Sequence, residues 1–327
     1  MIHHATTEQP REDVAAVIGA GSIGAAWAIV FAAAGVSTRL VDIDPLRLAA
    51  ARVLIKERLT ELAHHGLLED EPVATAERIQ TFPALEAALD GATYVQECAP
   101  EKLELKQAIF ADLDRLAAPN VVLASSSSFL PASQFADHLS YRQRVLVVHP
   151  GNPPYLLRVV EVVPAPFTSE DTIQRATALM SRCGLAPVRL KKEVEGFAFN
   201  RLQGAVLREA YCLVRDGVVS ASDIDRLMRE GLGHRWSVIG PFETSDLNTR
   251  GGIAAHAERM GPAYRRMGQE RGQDDPWTPE LVAQVTAERR VELPIEKWDA
   301  RVAWRDQTLM ALLAWKRKQG LDRPDPC

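Results

Sequence analysis

The chain has 327 residues, of which 46% are hydrophobic and 25% charged, and its formal net charge is −5. This composition is ordinary for a globular enzyme of one or two domains. A negative net charge, with no run of lysines and arginines interleaved with aromatic residues, excludes nucleic acid and anionic membrane surfaces as expected partners.

The first half of the chain alternates short β-branched runs with amphipathic stretches, a pattern typical of a parallel sheet covered by helices. Residues 14–18 are predicted to form a strand, 22–34 a helix, 38–42 a second strand and 45–63 a second helix. Further strands are predicted at 94–97, 121–124, 145–148, 159–163 and 187–190.

The residue pattern of the sequence changes after residue 190, beyond which runs of β-branched residues are rare. Apolar residues at helical spacing, from Leu202 to Leu213, predict a long helix that ends at Asp216. Ser220 then has the character of an N-cap that opens another helix. We therefore place a domain boundary near Lys192, with an α/β domain over 1–192 and an all-α domain over 193–327.

A glycine-rich turn joins the first predicted strand to the first predicted helix, with the sequence Gly19-Ala20-Gly21-Ser22-Ile23-Gly24. In this context Gly-x-Gly-x-x-Gly is the fingerprint of a dinucleotide site, because it combines a tight turn, close backbone approach to a pyrophosphate and a helix N-terminus. Asp42 ends the second strand, where a carboxylate can accept the ribose hydroxyls and repel a 2′-phosphate. The fold predicted is a Rossmann-type doubly wound, mainly parallel sheet with NAD as cofactor; from the fingerprint alone, a flavin stays an alternative.

His149 and Glu161, which is twelve residues further along the chain, form a possible catalytic pair. A carboxylate that accepts one ring N–H of an imidazole leaves the other ring nitrogen to take a proton from a substrate hydroxyl. The alternative is a structural histidine beside a turn. The remaining histidines, including His64, His65 and His234, show no metal-ligand spacing, so no metal is expected.

The order of motifs resembles that of the short-chain L-3-hydroxyacyl-CoA dehydrogenase superfamily over nearly the whole chain, from Val14 to Trp304. The motifs are the glycine fingerprint, Asp42, the cluster Ser125-Ser126-Ser127-Ser128, His149-x-x-Asn152-Pro153, Glu161 and Gly196-Phe197-x-x-Asn200-Arg201. The continuation Asn152-Pro153-Pro154-Tyr155 is similar to the lambda-crystallin and L-gulonate 3-dehydrogenase branch. So are Gly231-Leu232-Gly233-x-Arg235, Ile239-Gly240-Pro241-x-Glu243-Thr244, Leu247-Asn248 and Trp304-Arg305-Asp306.

The resemblance implies a role for several side chains. It makes His149 the general base and Glu161 the residue that orients it. Ser128 and Asn200 would hydrogen-bond the reacting oxygen and so hold the substrate in place. Glu101 and Lys106 match positions that line the nicotinamide half of the cofactor.

Four residues depart from the pattern. Pro150 stands where hydroxyacyl-CoA enzymes have an aromatic residue, and Ser126 where they have an asparagine, which speaks against a CoA thioester as substrate. Gly151 replaces a larger apolar residue, which predicts a larger pocket, and Arg158 replaces a proline of the branch with no evident consequence.

Three functions are open on these grounds. The first is an NAD-dependent dehydrogenase that oxidises the 3-hydroxyl of a small free acid such as L-gulonate, with Arg235 or Arg250 binding the carboxylate. The second is a 3-hydroxyacyl-CoA or L-carnitine dehydrogenase; for CoA, the basic residues would be Arg47, Arg52, Lys56 and Arg58. The third is a non-catalytic NAD-binding protein, since the branch includes lens structural proteins.

The cysteines, the N-terminus, the apolar runs and the helical domain predict the compartment and the oligomeric state of the protein. Four widely separated cysteines with no metal or redox spacing, Cys98, Cys183, Cys212 and Cys327, suggest a reducing cytoplasm. The polar N-terminus does not resemble a signal peptide. The longest apolar run, 25–34, is far shorter than the ~18 residues of a membrane span. The helical second domain predicts a homodimer, because it resembles the family's dimerisation domain and a broad apolar helix face is usually buried against a partner.

Overall fold

The computed structural model describes residues 13–237, 240–248, 252–271, 280, 291 and 294–320. Eight strands form one sheet. They are β1 Val14–Ile18, β2 Ser37–Val41, β3 Ile79–Phe82, β4 Tyr94–Glu97, β5 Val122–Ser125, β6 Val145–Pro150, β7 Val159–Pro164 and β8 Ala186–Arg189.

The strand order in the sheet is β3-β2-β1-β4-β5-β6-β7-β8. Each neighbouring pair is parallel except β6 and β7, which are antiparallel. The order reverses at β1, so a crevice forms beyond the carboxyl ends of β1 and β4, where such folds bind nucleotides. The predicted doubly wound, mainly parallel sheet with a helical C-terminal domain is confirmed.

Helices connect and cover the strands. Those up to residue 182 are α1 Ser22–Ala33, α2 Pro45–His64, α3 Pro72–Glu77, α4 Leu85–Leu89, α5 Leu103–Leu116, α6 Ala132–Ala136 and α7 Glu170–Arg182. Alternate residues of β1 explain how both faces of the sheet are buried. Ala15 and Val17 belong to one hydrophobic cluster and Ala16 and Ile18 to another.

The remaining described elements are helical. They are α8 Phe199–Arg215, α9 Ala221–Arg226, a π-helical turn Leu227–Leu232, α10 Gly233–Trp236, α11 Pro241–Leu247, α12 Gly252–Arg271, a 3-10 helix Ile295–Lys297 and α13 Trp298–Lys318. The side chain of Ser220 accepts from Asp223 N, as the N-cap prediction required. The strand β3 with its flanking helices α3 and α4 was not predicted, because β3 is short and only half-buried.

Two compact units divide the chain. One contains the residues up to Asn200 together with those from Asp306 onward, and the other contains Arg201–Arg305. The predicted boundary at Lys192 thus differs from the division by a few residues, and the end of α13 groups with the first unit. Met310 explains this return, because it is fully buried in the hydrophobic cluster that also contains residues of α1 and α2.

Candidate functional site

The glycine turn has the geometry that its sequence predicts. Gly19 adopts a φ of 102°, a region that L side chains rarely occupy. A Cβ on Gly24 would lie 1.7 Å from the carbonyl oxygen of Gly19, so only glycine allows α1 to pack this closely on the turn. Gly21 differs, since a Cβ there would meet nothing within 4 Å. It therefore borders open space.

The N-terminus of α1 is open to an anion. Its N-cap residue is Gly21, and no side chain caps the first turn. Ser22 and Ile23 thus carry backbone N–H groups at the positive end of a twelve-residue helix. This end of α1 fits a pyrophosphate.

Asp42 follows β2 beside the glycine turn. Its carboxylate accepts from Ala20 N at 2.8 Å through Oδ2 and from Asp44 N at 2.9 Å through Oδ1. These bonds hold a half-buried carboxylate next to the anion site. The glycine turn, the open helix end and this acid together fit a dinucleotide whose ribose lies near Asp42.

His149 and Glu161 face each other because β6 and β7 are antiparallel. The two residues are directly paired in the register, which brings cross-strand side chains into contact. His149 Nδ1 lies 2.9 Å from Glu161 Oε2. Both side chains are buried, at 6% and 4% exposure.

The environment of Glu161 keeps it ionised. Burial raises the pKa of this carboxyl, but hydrogen bonds from His149, Phe199 N and Ala198 N outweigh burial and lower the pKa below its ordinary value. An ionised carboxylate only accepts, so Nδ1 of His149 carries the ring proton. In the neutral ring, Nε2 is then the basic nitrogen.

A strained turn supplies the two backbone donors to Glu161. Gly196 and Phe197 both have positive φ, 73° and 49°, and a non-glycine residue in this region is strained. Phe197 is fully buried, which holds the turn in place. As a result, Ala198 N and Phe199 N donate to Glu161 Oε1 at 2.8 and 2.9 Å. Phe199 begins α8, so Glu161 also fixes the start of that helix.

Asn200 and Ser128 are brought together. The side-chain amide of Asn200 donates to the carbonyl oxygen of Ser128 at 3.1 Å. The structure therefore joins the serine loop to α8, next to the turn that holds Glu161.

The four serines have different surroundings. Ser125 Oγ donates to Glu97 at 2.5 Å, Ser127 Oγ donates to Glu101, and Ser126 Oγ accepts from Trp27 at 3.0 Å and from Gln96 at 2.7 Å. Among the described residues, no hydrogen bond occupies the hydroxyl of Ser128. A ligand role for this hydroxyl, which the resemblance implies, stays a prediction.

Glu101 and Lys106 lie in unlike positions. Glu101 is exposed and receives backbone N–H groups of the serine loop. Lys106 is 1% exposed, and its ammonium binds both oxygens of Glu97 and the hydroxyl of Ser125. A direct contact between Lys106 and a cofactor would require this buried ion pair to open. Glu97 and Ser125, which hold it, were missed because nothing local in the sequence links β4, α5 and β5.

A second polar network was also missed. Tyr94 donates to Gln96 at 2.8 Å, and Gln96 donates to Ser126 and to the carbonyl oxygen of Val148 at 3.2 Å. The network ties the serine loop to the strand that carries His149. It also explains the presence of Ser126, because its small hydroxyl accepts hydrogen bonds from the indole N–H of Trp27 and the amide of Gln96.

Two departures from the family pattern have structural explanations. The prediction that Gly151 enlarges a pocket is wrong, because Leu157 fills the space: a Cβ on Gly151 would lie 2.8 Å from Leu157 Cβ. The Nε of Arg158 donates to the carbonyl oxygen of Gly184, just after α7, at 2.5 Å. Arg158 thus binds a helix C-terminus.

One of the two candidate carboxylate ligands lies in the described part of the helical unit. Arg235 is an exposed residue of α10. Arg250 lies outside the described residues. Arg235 therefore stays a prediction.

A cavity of about 370 Å³ lies apart from these groups. Its lining includes Arg158, Arg182 and Arg317 but neither His149 nor Ser128. Arg158 and Arg317 each donate to a carbonyl oxygen that follows a helix, Gly184 O and Gly66 O. Because these guanidinium groups stabilise helix C-termini, we do not assign this cavity to the chemistry.

Two kinds of feature are absent from the described part of the chain. It contains no helix long and apolar enough to cross a membrane. It also contains no group of three or more His, Cys, Asp or Glu residues that could hold a metal ion.

Comparison with known proteins gives consistent matches. Residues 14–194 match the family described as 3-hydroxyacyl-CoA dehydrogenase, NAD binding domain, and 196–295 match 3-hydroxyacyl-CoA dehydrogenase, C-terminal domain. The lambda-crystallin homolog of Bos taurus is 41% identical and covers 93% of this chain and 95% of its own. The L-carnitine dehydrogenase of Pseudomonas aeruginosa is 35% identical over 91% and 92%.

A solved structure agrees with the sequence matches. The 5-formyl-3-hydroxy-2-methylpyridine 4-carboxylic acid 5-dehydrogenase, an NAD+-dependent dismutase, aligns with a TM-score of 0.79 and 27% identity. The alignment covers 91% of this chain and 96% of that one.

Proposed function

Because the chain belongs to the 3-hydroxyacyl-CoA dehydrogenase family, we propose that it oxidises the 3-hydroxyl of a small free hydroxy acid, L-gulonate-like, to the 3-oxo acid. The chain is an NAD-dependent oxidoreductase, as its family is. The observation that carries the proposal is the buried His149–Glu161 pair, with the basic nitrogen of His149 left for a substrate hydroxyl.

Each step of the chemistry falls to a residue of this chain. NAD bound at the glycine turn and Asp42 would supply the acceptor for the hydride that leaves the carbinol carbon. Nε2 of His149 takes the hydroxyl proton, and ionised Glu161 stabilises the imidazolium that results. Ser128 and Asn200 hold the reacting oxygen, which orients the carbinol.

The aromatic neighbours of His149 favour this role. The ring centroids of Phe197 and Phe199 lie 5.5 and 6.4 Å from that of His149. They surround the imidazole with apolar surface, so its contact with Glu161 is poorly screened by water.

The similarity to relatives does not separate a free acid from a CoA thioester, because an L-carnitine dehydrogenase and a 3-hydroxyacyl-CoA dehydrogenase both align over more than nine tenths of this chain. The free acid is favoured instead by Pro150 and Ser126, which depart from the pattern of hydroxyacyl-CoA enzymes. The basic residues of α2 are also partly engaged: Arg47 pairs with Asp44 at 3.7 Å, and Arg58 binds Glu61 at 2.5 Å. Arg52 and Lys56 are exposed and keep the CoA alternative testable.

A substrate panel tests the function. Absorbance of NADH is followed with L-gulonate, L-carnitine, 3-hydroxybutyrate and 3-hydroxybutyryl-CoA. We expect turnover with a free acid, gulonate above the others. Turnover with the thioester alone would refute the substrate class, and silence with all four, with NAD bound, would favour a non-catalytic crystallin-like role.

Arg235 is our proposal for the residue that binds the substrate carboxylate, since an exposed guanidinium can bind a carboxylate through two hydrogen bonds. Arg235→Gln should raise KM for the acid by ~10-fold or more, the loss of one charge-assisted contact. Arg229→Gln, in the preceding turn, is the control. Equal effects of the two changes would argue against a specific role for Arg235.

The proposed partner is a second copy of the chain, bound through the helical unit. Leu202 of α8 is 66% exposed, and Val206 and Leu213, which lie on the same side of this amphipathic helix, are half-buried. An apolar helix face of this kind is stabilised by burial against a partner. Sedimentation should show a dimer that Leu202→Glu dissociates, whereas Val53→Glu on α2 leaves it intact; a wild-type monomer would refute this proposal.

We also propose a cytoplasmic location. Its support is that Cys98 and Cys183 are reduced cysteines, the state that a reducing compartment maintains. Fractionation of cells that express a tagged chain tests it, and recovery of the chain from an oxidising compartment would contradict it.

A further inference from the structure

The backbone of the serine loop converges on one carboxylate. Glu101 Oε1 accepts from Phe129 N and Leu130 N, each at 2.9 Å, and from the hydroxyl of Ser127. Oε2 accepts from Ser128 N at 2.9 Å. Three successive backbone N–H groups and one hydroxyl thus point at a single side chain of another segment.

The charge of Glu101 suits this arrangement. Burial raises the pKa of the carboxyl, but bonds from Ser127, Ser128, Leu130 and Phe129 outweigh burial and lower the pKa below its ordinary value. Hydrogen bonds to an ionised acceptor are about twice as strong as those between neutral groups. An exposed loop held by several of them keeps one shape.

A second, buried carboxylate holds the beginning of the same loop. Glu97 is fully buried and binds Lys106 and the hydroxyl of Ser125. Ser125 Oγ in turn accepts from Ser127 N at 3.2 Å. The loop is therefore anchored at its start by Glu97 and across its middle by Glu101.

We propose that Glu101 is a positioning residue, which fixes the turn 127–130 so that the hydroxyl of Ser128 faces the reacting oxygen before substrate arrives. The proposal rests on the proposed function, in which Ser128 binds that oxygen. It differs from the expectation that Glu101 only lines the cofactor. Positioning matters because a small misplacement of a substrate-binding group lowers the rate steeply.

Glu101→Gln is the informative change, because it preserves size. The amide of glutamine has one N–H₂ group where the carboxylate has a second oxygen. Because this group cannot accept from a backbone N–H, some of the hydrogen bonds to the serine loop are lost. We expect kcat to fall by ~10-fold or more, with the NAD dissociation constant within about 2-fold of wild type. Amide exchange in a peptide covering 127–130 should accelerate. Glu104→Gln, an exposed carboxylate in the first turn of α5, is the matched control and should change neither quantity.

A double-mutant cycle tests whether Glu101 acts through Ser128. Ser128→Ala should lower kcat, and adding Glu101→Gln to it should lower kcat further by less than about 3-fold. Fully additive losses would overturn the proposal. So would an effect confined to NAD affinity, which would make Glu101 a cofactor contact.

The failure of the proposed function has a different signature. If Ser128→Ala keeps wild-type kcat, the role of Ser128 is refuted, and the positioning proposal falls with it. Unchanged amide exchange in Glu101→Gln, alongside a large loss in Ser128→Ala, would instead refute only the positioning.

Discussion

Glu161→Gln separates the charge of the carboxylate from its shape. Glutamine keeps an oxygen for Ala198 N and Phe199 N, which Glu161 Oε1 now accepts at 2.8 and 2.9 Å. It places an N–H₂ group opposite His149 Nδ1, so the imidazole must accept there and carry its proton on Nε2. That tautomer cannot take a proton from the substrate.

The expected magnitudes follow from these contacts. We expect kcat to fall by on the order of 10⁴-fold, as when the acid behind another catalytic histidine is made an amide. Stability should fall by about 1–2 kcal/mol, because the bond to His149 and the two backbone bonds remain but each is now made to a neutral group. Glu161→Ala is harsher, since it leaves Ala198 N and Phe199 N without their acceptor, at about 1–3 kcal/mol each.

The assay combines initial rates of NADH formation with thermal unfolding and NAD binding for the wild type and both variants. Glu170→Gln, an exposed carboxylate on α7, is the control and should keep wild-type kcat. If Glu161→Gln kept kcat within about 3-fold of wild type, the tautomer argument would be refuted. A loss of rate matched by a loss of NAD binding would instead indicate general damage to the fold.

Three further outcomes are expected. Gly24→Ala should lower the melting temperature, because a Cβ there would lie 1.7 Å from a backbone oxygen. Gly21→Ala should fold normally and lose affinity for NAD. Equal melting temperatures of the two variants would contradict the packing argument. Asp42→Asn should weaken the binding of NAD by ~10-fold. It should also reduce the preference of the enzyme for NAD over NADP, measured as the ratio of the two kcat/KM values, because the charge that repels a 2′-phosphate is gone. The lowered pKa values of Glu101 and Glu161 imply stability that is present above the ordinary carboxyl pKa of 4.5 and is lost as pH falls through the lowered values. Acid unfolding of a variant with both changed to Gln should therefore depend less on pH than that of the wild type.

The sheet was largely predictable because its strands are short apolar runs separated by helices, and the glycine turn identifies β1 and α1 directly. The strand β3 was missed because its residues are half-buried and lack a clear apolar pattern. The return of the C-terminal helix to the first unit depends on tertiary burial of residues such as Met310, which no local period records.

The site was predictable where one residue type performs one task at a known spacing. His149 and Glu161 fall into this class, and antiparallel pairing of β6 with β7 accounts for their contact. Glu97 and Lys106 do not, because a buried ion pair between a strand end and a helix looks in sequence like a solvated charge pattern. Gly151 shows the opposite error, since the space that a small residue leaves can be filled by a neighbour such as Leu157.

The two ionised carboxylates of the site work in the same physical way. Each is stabilised by backbone N–H groups of a segment distant in sequence, and that segment carries the next polar residue of the site. Glu161 binds the N–H of Phe199 beside Asn200, and Glu101 binds the N–H of Ser128 itself. Since Asn200 also donates to the carbonyl oxygen of Ser128, the two segments are joined. Protonation or removal of either carboxylate should therefore disturb both oxygen ligands, so that single changes at Glu101 and Glu161 couple in a double-mutant cycle through the bond between Asn200 and Ser128.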